Sequence, residues 1–234
     1  MSYSNDVICF GSDRECLVMN STIGSYKVLP RLSEERLIKT FIGFSPSISK
    51  FKVLAMSKSH YKLGFGNHMV LTMENQECLW DCRPVECQID HEPETASNMS
   101  PVCINEDLYY ATELHVPGSS MAIAMISFSL KTEAFVSYQI PDTSVSRHSH
   151  CETGPFNIRG KVGISFAYKE QDNHKIWVLE DVKDNKWSLL LLNIHPSIQD
   201  VNRWMSQRPP SFRGLTKTSG MVYAKAQQKD LAIC

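Results

Sequence analysis

Four aromatic residues, Tyr26, Trp80, Phe135 and Trp187, each follow a polar turn and open an apolar run, and they stand 54, 55 and 52 residues apart. The fullest copy is Ile176 to Leu192, IWVLEDVKDNKWSLLLL. Ile176–Leu179 reads as a strand, the stretch rich in Asp, Lys and Asn as a turn, and Trp187 as the start of a second strand. β-Branched and aromatic residues suit a half-buried pleat, and Asp and Asn adopt the backbone conformations that tight turns need. A repeat of roughly fifty residues with about four strands in each copy is the pattern of kelch-type β-propeller blades. One such sheet cannot bury both of its faces, so the copies have to stack.

The units fall at residues 40–83, 98–140 and 156–192, with partial ones at 6–30 and 212–226. The expected fold is therefore all-β: one kelch-like β-propeller domain over 1–234, incomplete, with about three full four-stranded blades and partial blades at both ends. A β-sandwich also has many short strands at regular spacing, but the aromatic recurring after a polar turn favours the propeller. Within the units, Ser45-Pro46-Ser47-Ile48-Ser49 reads as a tight turn, and Val102–Ala111 as two strands joined through Asn-Glu-Asp. Arg31–Lys39 reads as a polar, weakly helical connector. Ser197 is placed to cap a short helix carrying Ile198, Val201, Trp204 and Met205 inside an inter-blade loop. A rigid scaffold presents binding residues on its variable connections. Here the long ones are Ser57–Asn67, Gln88–Pro101, Asp142–Pro155 and Pro196–Arg213, and their grouping into faces is open at this level.

Hydrophobic residues are 42% and charged residues 21% of the chain, an ordinary folded composition. The net charge of −1 carries no basic excess for nucleic acid or an anionic membrane. No apolar run approaches the roughly 20 residues that span a bilayer. The opening MSYSNDVICF has neither the basic nor the apolar part of a secretory signal. These features predict a cytoplasmic or nuclear protein whose eight cysteines are reduced, and in which the Asn20 and Asn98 triplets carry no sugar.

Cys78, Cys82, Cys87 and His91 have the spacing C-x3-C-x4-C-x3-H, which raises tetrahedral zinc. Residues four apart on a strand are roughly 13 Å apart, however, too far to share an ion unless the chain folds back. His148, His150 and Cys151 lie in a Ser-rich loop without further ligands nearby in sequence. Glu180, Asp181 and Asp184 could suggest glycoside hydrolysis, which needs two carboxylates about 5–9.5 Å apart across a pocket, but Asp residues in a hairpin serve the turn itself. Phosphate-loop, nucleophile-elbow and zinc-helix motifs are not found. The expectation is no catalytic, cofactor-binding or metal-binding residue, with Trp80, Phe135 and Trp187 packed between blades.

Gly43 through Leu54, GFSPSISKFKVL, resembles the G-[FY]-D-P-x-x-x-x-[FY]-K-V-L segment of the plant F-box-associated interaction domain (type 3). The resemblance continues in Val70–Met73 before Trp80, in Val102–Asn105 with Leu108–Tyr110, and in Ile126–Leu130 through Phe135. Gly160–Gly163 and Ile176–Asp181 through Trp187-Ser188 carry it further. Asn20–Gly24 with Tyr26 and Leu29-Pro30 is similar to that family's N-P-[ST]-T-G-x-[FY]-x-x-L-P element, with Ser21 for the usual Pro; Ser45 likewise stands for the usual Asp. The resemblance spans about residues 7 to 226. It implies a kelch-like propeller that recruits the target protein of a Skp–cullin–F-box ubiquitin ligase. No segment resembles the F-box, so the Skp adaptor and cullin are expected as partners only where an F-box is supplied elsewhere. The other readings are a truncated, non-functional product and a propeller-type carbohydrate-binding or hydrolytic protein.

Overall fold

The computed structural model of the chain describes residues 2–4, 6–12, 15–29, 37–57, 68–74, 79–92, 101–114, 122–141, 154–166, 173–193, 211–215 and 221–224. Among the described residues every regular element is a strand. The first sheet holds β1 (Ser2–Ser4), β2 (Val7–Ser12), β3 (Glu15–Asn20) and β4 (Tyr26–Val28). The second holds β5 (Leu37–Ser45), β6 (Lys50–Ser57), β7 (His68–Glu74) and β8 (Leu79–Val85). The third adds the short β9 (His91–Glu92) to β10 (Val102–Ile104), β11 (Asp107–Leu114), β12 (Ala122–Ser129) and β13 (Phe135–Gln139). The fourth holds β14 (Phe156–Ile158), β15 (Lys161–Phe166), β16 (Asn173–Asp181) and β17 (Lys186–Asn193), and β18 (Ser211–Leu215) pairs with β19 (Met221–Ala224). In each four-stranded path neighbours in sequence are antiparallel neighbours in space, the order of a propeller blade.

The sheets depart from the sequence reading in three places. Ser2–Ser4 pairs with Val7–Cys9, so the first sheet has four strands where the sequence, read from Asp6, yielded three; the segment has no apolar alternation to mark it. Leu37–Lys39, read as the end of a helical connector, is strand, entered through a register shift between Leu37 and Lys39. His91–Glu92, read as loop, pairs with Glu113–Leu114. The helix expected at Ser197–Met205 lies outside the described residues.

Alternate residues of a strand face opposite sides, and here both sides are apolar. On β6, Val53 and Ala55 join Val7, Cys9, Cys16 and Val18 in a core between the first and second sheets. Leu54 and Met56, their neighbours, join Leu108, Tyr110, Ile126 and Phe128 in a core between the second and third. A further core between the third and fourth sheets contains Tyr109, Met125, Tyr138, Val162 and Ile164. Double-sided burial explains why KFKVLAM and AIAMISF read as near-continuous apolar runs. Each fully buried Leu, Ile or Phe contributes about 1.5–3 kcal/mol, so stacking is the main source of stability.

The repeated aromatics show the direction of stacking. Phe135 of the third sheet lies 5.6 Å, centroid to centroid, from His68 of the second, and Trp187 of the fourth packs on the core it shares with the third. Both point at the preceding sheet. Tyr26, their counterpart in the first sheet, is 70% exposed, because no described sheet precedes it. The side chain of Trp80 lies outside the described residues.

Close approach of the sheets requires a small residue at Gly43, where a Cβ would stand 2.6 Å from Leu130 Cδ1 and 3.2 Å from Leu108 Cδ2. Beside this contact the second and third sheets share a buried ionic group. Glu133 Oε1 accepts from Lys52 Nζ at 2.6 Å, and its Oε2 is 2.6 Å from Arg83 Nη2. The Lys52 and Glu133 side chains are 7% and 8% exposed. Glu133 occupies left-handed backbone, φ 59°, which aims its side chain across the seam.

Removing Glu133 leaves the Lys52 ammonium buried without its carboxylate, a loss of about 3–5 kcal/mol. Chemical denaturation of Glu133→Ala should show that drop, whereas the double variant Lys52→Met/Glu133→Gln should recover most of it. Equal losses in the single and double variants would mean that the pair is not the source.

Candidate functional site

Because each of the first four sheets is built on a four-strand meander, its two ends differ in the connections they carry. One end carries the first and third hairpin turns of each sheet: Pro46–Ser49 in the second, Asn105-Glu106 and Leu130–Ala134 in the third, Arg159-Gly160 and Val182–Asn185 in the fourth. At the other end lie the strand termini on either side of the middle connections, Ser57 and His68, Leu114 and Ala122, Phe166 and Asn173, and the ends of β13 and β17 from which the chain leaves for the next sheet. Of the long segments singled out from sequence, Ser57–Asn67, Asp142–Pro155 and Pro196–Arg213 therefore leave from one end of their sheets, whereas Gln88–Pro101 lays β9 on the edge of β11 and continues to β10 of the same sheet.

The turn end is built by local chemistry. Asn105-Glu106 (φ 50° and 70°) and Arg159-Gly160 (φ 55° and 83°) are two-residue turns with both positions left-handed, the form that matches strand twist. The third turns share another construction. Asn20 Oδ1 accepts from the amides of Thr22 and Ile23 at 3.0 and 3.3 Å. Asp181 Oδ1 accepts from those of Lys183 and Asp184 at 2.8 and 3.3 Å, and Ser129 Oγ from that of Thr132 at 3.4 Å. Four residues after each comes a left-handed position, Gly24, Asn185 and Glu133, and two after that the aromatic, Tyr26, Trp187 and Phe135. The polar cluster before each aromatic is thus a turn with a side-chain cap.

Two features of this end reach across seams. Glu106 Oε1 accepts from Ser45 Oγ at 2.6 Å and from the Ser47 amide at 2.7 Å, which ties the third sheet to the β5–β6 turn of the second. These hydrogen bonds hold its carboxyl well below the usual range, at about 2. Between the third and fourth sheets lies a cleft of about 480 Å³. Ile104, Tyr109, Val162 and Leu179 supply its apolar walls, and Lys161, Glu180, Asp181 and Lys183 its charged rim. Lys161 Nζ donates to Glu180 Oε2, and Glu180 Oε1 accepts from Ser188 Oγ at 2.6 Å. The Lys161 contact lowers the pKa of Glu180, and the amides of Lys183 and Asp184 lower that of Asp181. Both carboxylates are therefore shifted towards the ionised form, Glu180 by Lys161 of β15 and Asp181 by its own turn, the opposite of the raised pKa a general acid needs.

The cysteine and histidine candidates separate. Cys82 faces the core between the first and second sheets. Cys87 and His91 lie at the seam between the second and third, with Cys87 Sγ 4.0 Å from His91 Nδ1. The turn at Ile89 and the pairing of β9 fold the chain back between them, which strand spacing alone did not reveal. Cys78, His148, His150 and Cys151 lie outside the described residues. A residue that sequence reasoning missed joins the pair: His68, the first residue of β7, whose ring lies 5.4 Å from that of His91. Nothing in the local sequence marks it, since the contact forms only when the sheets stack. Cys9, Cys16, Cys82, Cys87 and Cys103 are free thiols.

An ordered stack of four-stranded antiparallel meanders, the third and fourth aiming Phe135 and Trp187 at the sheet before them, defines a β-propeller-type repeat domain. The family model described as the F-box associated beta propeller domain matches residues 1–233, and the chain belongs to that family. It is similar to F-box protein At1g47810 of Arabidopsis thaliana, 34% identical over 193 residues, which cover 80% of this chain and 50% of that protein. It is also similar to the putative F-box protein At1g31000, 29% identical over 82% of this chain and 52% of the relative, and to F-box protein At1g47340, 31% identical over 74% and 34%; both are from Arabidopsis thaliana. The chain spans about half, or less, of the length of these relatives.

Glu106 makes the seam acid-sensitive in a defined direction. Its folded-state pKa is depressed from 4.5 to about 2. The stability it contributes is therefore complete above pH 4.5 and is lost as pH falls towards 2. Thermal melts across that window should fall more steeply for the native chain than for Glu106→Gln; parallel curves would show that the contact carries no linkage.

Proposed function

We propose that this chain is a protein-docking domain that holds a target protein on the loop end of its sheet stack, acts without catalysis of its own, and works in the cytoplasm or nucleus. The observation that carries this reading is the segregation of connections: capped short turns at one end, and most of the longer connections at the other. A scaffold held in place by double-sided cores needs no rearrangement of its sheets to bind, which lowers the ordering cost of docking. The F-box proteins among its relatives supply the context. Joined to an F-box in the same chain or through a partner, the domain would deliver its target to a Skp–cullin–F-box ligase. The cleft between the third and fourth sheets favours a second reading, in which the target inserts an apolar side chain between Tyr109 and Leu179 and meets the charged rim.

Cross-linking mass spectrometry on the tagged chain, captured with its partner from plant cells, separates the two. Docking on the loop end puts the target's cross-links on Lys58, Lys62 and Lys169, which lie in sequence between strands that end there, β6 and β7 and β15 and β16. Cross-links concentrated on Lys161 and Lys183 would move the site to the cleft. Skp and cullin peptides in specific excess would support the ligase context. Chaperones alone, with no target cross-linked at either end, would overturn the docking reading.

A further inference from the structure

The seam between the second and third sheets contains a cluster that packing does not explain. His68 from β7, Cys87 from the segment after β8, and His91 from β9 each place one donor atom within 4.8 Å of the other two. His68 and His91 are 3% and 2% exposed. The Nδ1 of His68 is buried and has no hydrogen-bond partner. His91 is held on both sides: its Nδ1 lies 2.9 Å from the Ile89 carbonyl and its Nε2 is 3.2 Å from the Tyr110 hydroxyl. Phe135 packs against His68, so the surround is largely apolar.

We propose that His68, Cys87 and His91 form a site for a divalent zinc ion, with the Tyr110 hydroxyl or a water on the fourth side. Two imidazoles and a thiolate are a donor set that suits zinc, and a tetrahedral zinc with three protein ligands keeps one position open. In such a shell the donor atoms stand about 3.3–3.6 Å apart, from metal–ligand bonds of about 2.0–2.3 Å. The cluster therefore has to contract by about 1 Å. Cys87, half-buried and on a segment outside the sheet hydrogen bonding, is the member placed to move. Whichever nitrogen of His91 takes the ion, the other keeps its hydrogen bond, the orienting contact that metal-bound histidines require. Binding converts the Cys87 thiol to thiolate and releases its proton to solvent, with no change of oxidation state. The ion would join an element of the second sheet to one of the third and clamp the seam beside the loop end.

The test uses the whole chain, stripped with chelator and kept reduced, with cobalt(II) as a visible probe of the zinc site. One equivalent should produce tetrahedral visible bands and a thiolate-to-cobalt charge-transfer band, both displaced by zinc. Cys87→Ser should abolish the charge-transfer band, and His68→Gln should weaken binding at least tenfold. Cys82→Ser, altered on the opposite face of the second sheet, should change neither. In the unaltered chain, stoichiometric zinc should slow alkylation of Cys87 at least tenfold relative to Cys82, a readout that needs no variant to fold. Absence of the charge-transfer band, its persistence in Cys87→Ser, or unchanged Cys87 alkylation would overturn the site.

Discussion

Each central sheet in this chain has to hide two apolar faces, and that requirement organises the rest of the structure. A strand such as β6 alternates Val53 and Ala55 to one neighbour with Leu54 and Met56 to the other. No single sheet satisfies both sets, so the sheets form a row in sequence order, and the chain has only to turn from one to the next. The consequence is visible where the row starts: Tyr26, Val28 and Phe10, on the side of the first sheet away from the second, are 70%, 51% and 38% exposed.

Polar groups are spent at the seams, where apolar packing alone would leave the stacking register loose. Glu133 meets Lys52 and Arg83, and Glu106 meets Ser45 and the Ser47 amide. Both glutamates sit in left-handed turn positions of the third sheet and reach back to the second. Ser45, which stands where the family pattern has Asp, suits this geometry: a hydroxyl donates to Glu106, whereas a carboxylate there would face another. Such contacts tie the turn ends of neighbouring sheets together, and most of the longer connections gather at the opposite end.

Much of the architecture was legible in the residues. The cap, the left-handed position and the aromatic recur as Asn20–Gly24–Tyr26, Ser129–Glu133–Phe135 and Asp181–Asn185–Trp187, and all three are local facts of turn chemistry. The elements that escaped notice are those whose partner supplies the reason for them. β1 is too short and polar to announce itself, and β9 exists because the edge of β11 accepts Glu92 and His91. Of the cysteine–histidine pattern, the seam unites Cys87 and His91 and turns Cys82 away. No spacing rule could show this, since successive residues on a strand belong to different interfaces.

Taken alone, the sequence determined the strand-rich units, their period near fifty residues, the turn chemistry between strands and the likeness to F-box-associated propellers, because periodicity and turn propensity act within a few residues. The tertiary structure decided which faces meet, which end collects the long connections, and that His68 stands beside His91. Those outcomes depend on contacts between residues far apart in sequence, such as Ser45 with Glu106 and Lys52 with Glu133, and they form only when one sheet is laid on the next.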